Sequence, residues 1–95
     1  MAETIDQCRV TFGTNIYEVG DVASNVMNDF GRDVKYLKHE DSQLMLTTKQ
    51  VFHGQDEVSF SIRPASGGRS AVLISASQPN MAQNIAAEMA QHLPE

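Results

Sequence analysis

The side chains in this chain best suited to metal binding, nucleophilic attack or proton transfer are three histidines, one cysteine, a set of serines and two pairs of adjacent acids. His39, His53 and His92 lie far apart. None has the i, i+4 partner of a helical metal site or the HxH partner of a strand site. His53 has Asp56 and Glu57 close by, in a segment that reads as a turn, where such residues ordinarily keep a loop wet. No serine, from Ser24 to Ser77, sits in a G-x-S-x-G elbow, so a nucleophilic triad has no anchor. The acid pairs Glu40-Asp41 and Asp56-Glu57 fall in turns, and a carboxyl needs burial before its pKa rises enough for acid catalysis. Gly67-Gly68 leads into neither a Lys-Ser/Thr pair nor a helix start, as a phosphate loop requires.

Cys8 is the single cysteine, which excludes an internal disulfide and a zinc site built from cysteines. It alternates with Val10 and Phe12, as a small apolar strand residue does, and Arg9 points to the other face. The expectation is no cofactor, no metal and no catalytic set.

The 95 residues suffice for one domain spanning 1–95 and for a core without staples. Hydrophobic residues make up 41% and charged residues 20%, which is ordinary globular composition. The N-terminal stretch lacks the basic and apolar regions of a secretory signal, and the apolar run Ala71–Ile74 is far too short to span a bilayer. A cytoplasmic setting, away from membranes, is expected. The net charge is −5, and the seven Lys and Arg are scattered singly along the chain, which argues against nucleic acid.

These residues must be positioned by short alternating strands and two amphipathic helices. Cys8, Val10 and Phe12 predict a strand ended by Gly13. Ile16, Val19, Ala23, Val26, Met27 and Phe30 share one helical face, with Thr14 or Asn15 as cap and Gly31 as C′ residue. Gly20 weakens that helix, or marks a later start near Asp21. Four strands are predicted next. They begin at Val34 and Tyr36, continue through Leu44, Leu46 and Phe52, then Val58, Phe60 and Ile62, and finish at Ala71–Ala76. The last of these is apolar on both parities, as expected of a strand covered on both faces or at an interface. Pro64–Gly68 reads as a loop. A final helix, capped by Ser77 or by an Asn80/Gln83 capping box, buries Ala82, Ile85, Ala86, Met89 and Leu93.

The reading is therefore α+β, in the order β-α-β-β-β-β-α, with an antiparallel sheet packed by two helices. Strand 1 can pair antiparallel with strand 5, or lie beside strand 2 through a right-handed crossover. This order resembles that of helix-grip and TATA-binding-protein-like domains, a class shared by lipid carriers, scaffold modules and DNA binders. A second resemblance rests on Gln50-Val51-Phe52-His53-Gly54, which is similar to the Q-x-V-x-G hairpin wedge of cystatin-type cysteine protease inhibitors. It would imply inhibition of papain-like enzymes. Phe52 in place of valine, an extra strand before the motif and a terminal helix all depart from that family.

Strand parity places Arg9, Thr11, Met45, Thr47, Lys49, Val51, Ser59, Ser61, Arg63, Leu73 and Ser75 on the sheet face away from the helices. Small hydroxyl-bearing side chains with a few apolar ones suit close approach by another chain. The leading expectation is a non-catalytic protein–protein interaction or assembly module. It would act through Met45, Thr47, Lys49, Val51, Ser59, Ser61, Arg63, Leu73 and Ser75, or through a sheet edge, and its partner would be another protein or a second copy. Behind it stands a small apolar-ligand binder, with Met27, Phe30, Tyr36, Phe60 and Met89 lining the space. The cystatin-like inhibitor comes third.

Overall fold

A computed structural model describes residues 4–31, 34–40, 43–48 and 57–95. The elements are β1 (Asp6–Phe12), α1 (Ile16–Asp29), β2 (Val34–Glu40), β3 (Gln43–Thr48), β4 (Val58–Ala65), a 3-10 turn (Ser66–Gly68), β5 (Arg69–Ala76) and α2 (Met81–Ala90). The protein is an α+β domain, two helices on an antiparallel sheet. The strands lie in the order β1-β5-β4-β3-β2, and every neighbouring pair is antiparallel. Of the two places open to the first strand, it takes the one beside β5, in a ladder from Asp6–Ala76 to Phe12–Ser70. Glu57 and Ser77 tie the start of β4 to the end of β5. The Glu57 N–H donates to Ser77 Oγ (2.8 Å) and the Ser77 N–H donates to the Glu57 carbonyl (3.0 Å).

Both helices lie on the same side of the sheet. α2 covers β1 and β5, α1 covers β3 and β4, and the two helices touch. The alternation of β4 and β5 explains why. Val58, Phe60, Ile62, Val72, Ile74 and Ala76 point under the helices and are buried, and they meet Ile16, Val19, Ala23, Val26 and Met27 of α1 and Ala82, Ile85, Ala86 and Met89 of α2. Phe12 joins this core, while Cys8 and Val10 near the open edge of β1 are half-buried against it. No helix among the described residues is long and apolar enough to cross a membrane.

The expected Asn15 cap of α1 forms, its side chain accepting from the Glu18 N–H at 2.9 Å, and the helix starts at Ile16 rather than at the alternative near Asp21. The buried Gly20 is tolerated inside the helix. Other local expectations are corrected. Phe30 is not core. It is the C-cap residue, 43% exposed, where the chain leaves the helix and turns through Gly31 at φ 77°. The expected capping box of α2 does not form. Asn80 is left-handed and makes no side-chain cap bond. Asp6 of β1 supplies the cap instead, its carboxylate accepting from the Gln83 N–H at 3.2 Å. Leu93 is buried, but beyond the helix, which ends at Ala90. Pro64 and Ala65 belong to β4, so the loop shrinks to the 3-10 turn. β5 is covered on one face only: Ala71 is exposed and Leu73 half-buried.

Glycine is required at residue 13 for a packing reason. Its N–H donates to the Pro94 carbonyl at 2.7 Å, and a Cβ there would run into the Glu95 carbonyl oxygen. Residues 94 and 95 thus run directly against the end of β1.

Candidate functional site

The sheet face away from the helices is built by every second residue of the same strands that build the core. On β1 these are Gln7, Arg9 and Thr11, on β4 Ser59, Ser61 and Arg63, and on β5 Arg69, Ala71, Leu73 and Ser75. Register fixes their neighbours. Ser59 lies opposite Ser75, and Ser61 opposite Leu73. Arg63 lies opposite Ala71 on one side of β5, and Arg9 opposite Leu73 on the other.

The site residues expected from parity are brought together in part. Ser59, Ser61, Leu73 and Ser75 are half-buried on this face and Arg63 is exposed. Met45 and Thr47 pair with Ser61 and Ser59 in the β3–β4 ladder. Lys49 and Val51 lie outside the described residues. So do Gln50, Phe52, His53 and Gly54, and with them the cystatin-like motif. Two bonds hold the face in place: Gln7 Nε2 donates to Ser75 Oγ (3.2 Å), and Gln43 Nε2 donates to Ser61 Oγ (3.0 Å). The hydroxyls between the strands are therefore set by amide side chains reaching across from a neighbouring strand.

A trough of about 280 Å³ runs along this face over β5. Arg9 and Thr11 form one wall, Ser61 and Arg63 the other, and Ala71 and Leu73 the floor. The floor lies low at Ala71, which carries only a methyl group between Thr11 and Arg63. Parity reasoning put Arg9, Thr11 and Arg63 on this face but counted the cations as scattered. The fold gathers them. Arg9, Arg63 and Arg69 are all the arginines among the described residues and all three are exposed; Arg9 and Arg63 wall the trough, while Arg69 lines a hollow beside Asn15, Ile16 and Tyr17. Among the described residues none of the three is paired with a carboxylate. Of the described acids, Glu18, Asp21 and Asp29 lie on α1 and Glu88 on α2, while Glu57 stands at the start of β4.

The other chemistry-bearing groups do not assemble. Cys8 is half-buried, its thiol 4.0 Å from the Arg9 carbonyl oxygen. His92 lies 3.8 Å from Glu88 one helical turn earlier, both at the surface. Among the described residues no three His, Cys, Asp or Glu side chains come together. Ser70, buried under the helices, donates its hydroxyl to the Thr14 carbonyl and so fastens β5 to the start of α1.

The residues proposed to line an apolar-ligand space are used up differently. Met27, Phe60 and Met89 are packed into the core, and Phe30 has left it. In a comparison with known proteins, no family model, no curated protein and no solved structure matches this chain.

Proposed function

We propose that this domain is a non-catalytic interaction module that receives a protein partner on the open face of its sheet. One observation carries the reading. Both helices occupy one side, so the other side leaves Leu73 half-buried and Arg9 and Arg63 without ionic partners among the described residues. Small floor residues allow a partner backbone to come close, while Leu73 supplies apolar contact and the hydroxyls supply hydrogen bonds. The apolar-ligand alternative loses support because its lining is the core itself, which a domain of this size needs for stability. The proposal includes a cytosolic setting. It also takes the element order as that of helix-grip and TATA-binding-protein-like domains, a class that includes scaffold modules.

Leu73→Asp tests it. The variant places a charge on the trough floor and removes no core side chain. We expect native mass spectrometry to show concentration-dependent association or a retained partner for the parent and neither for the variant, while the thermal midpoint stays near that of the parent. Association that survives Leu73→Asp unchanged sinks the open face as the docking surface. Loss of folding would place Leu73 in the core and move the interface elsewhere.

A further inference from the structure

Resting on that reading, we infer that the trough over β5 takes an acidic, extended segment of a partner protein. Carboxylates would lie between Arg9 and Arg63, and a small apolar side chain would lie on Ala71 and Leu73. The two arginines flank β5 from opposite sides and are offset by two residues along it, since Arg9 faces Leu73 and Arg63 faces Ala71. With neighbouring strands ~4.8 Å apart and a rise of ~3.4 Å per residue, their α-carbons lie roughly 12 Å apart. Two extended arginine side chains can close that span over a carboxylate, and a planar guanidinium binds a carboxylate through two parallel hydrogen bonds. Thr11 and Ser61 stand on the same two walls and offer hydroxyl donors to the remaining carboxylate lone pairs.

Three observations choose this occupant. The guanidiniums have no carboxylate of their own among the described residues, so an incoming one displaces nothing. The floor is Ala71 and Leu73, an apolar strip that matches a side chain rather than a sugar or a phosphate. No aromatic side chain stands on β1, β4 or β5 of this face to stack a base. An extended segment that carries acidic and apolar side chains in turn at every second position satisfies walls and floor together, because residues two apart share one face of a strand and fall at the spacing of β5.

The test is an NMR titration of the intact domain. It follows the arginine Nε–H signals and the β5 amides, with a short synthetic peptide carrying glutamate and valine in turn at every second position, with serine between them, as probe and its glutamine counterpart as control. The expected result is shifts confined to Arg9, Arg63, Ala71 and Leu73, saturating with a Kd of about 1 mM or tighter. Binding should weaken as salt rises. Arg9→Gln and Arg63→Gln should each weaken it about tenfold, at unchanged melting temperature. Equal binding of the glutamine control would overturn the acidic chemistry and leave the face as a docking surface. Tighter binding of a single-stranded oligonucleotide at the same signals would overturn it in favour of nucleic acid. The same shifts on raising the protein concentration alone would replace the partner with a second copy. No shift on this face with the glutamate peptide up to millimolar concentration would also overturn the inference. The proposed function would then stand or fall separately, on Leu73→Asp.

Discussion

On β4, Phe60 and Ser61 are consecutive residues, yet one is 1% exposed beneath α1 and the other lines a trough on the far side. Ile74 and Leu73 of β5 differ in the same way, fully buried against half-buried. The two sheet faces are made from one backbone, and only the positions of the helices distinguish them. Among the described side chains, the covered face is apolar except for Asp6, whose carboxylate caps α2, and Ser70, which is satisfied by the Thr14 carbonyl. On β1, β4 and β5 the open face is hydroxyl-bearing and cationic, with the apolar Ala71 and Leu73 on β5. Stability is concentrated on the first face, while the groups available to a partner stand on the second.

Substitutions that respect this division should differ sharply in cost. Phe60→Ala removes a fully buried aromatic ring and is expected to cost ~3–5 kcal/mol in urea unfolding. A near-neutral result would break the assignment of faces. Ser70→Ala leaves the Thr14 carbonyl without its donor, for an expected loss of about 1 kcal/mol. A gain in stability would mean that this hydroxyl is a burden to the core rather than a tie between β5 and α1. Ser61→Ala, one residue from Phe60, should change stability by less than about 0.5 kcal/mol. A cost as large as that at Ser70 would show that the open face is structural as well.

Local periodicity made much of this visible before any coordinates. Val58, Phe60 and Ile62 alternate cleanly, and Asn15 with Gly31 brackets α1 at the expected ends. The errors arose where a distant residue decides a local outcome. α2 is capped by Asp6, 77 residues before Gln83, so no inspection of residues 77–83 could find it. Phe30 fits the helical stripe by spacing, yet the chain leaves the helix there and carries it to the surface. β5 looked covered on both sides because Ala71 and Leu73 share a strand with Val72 and Ile74, whereas helices lie on one side only. The gathering of Arg9 and Arg63 was half legible. Parity gives both the open face, but only the pairing of β1 with β5 sets them on either side of one strand.

That pairing also bears on how the chain reaches its fold. β1 is the first strand to be synthesised and β5 the last, and β5 is the neighbour of β1 in the sheet. During translation β1 must wait, unpaired, until nearly the whole domain has been made. Its long-range closure is the kind of contact that slows folding, and the waiting strand is an exposed edge for unwanted association. Arg9 in the middle of β1 keeps a charge on that strand throughout the wait, and a charge on an unpaired strand disfavours edge-to-edge association.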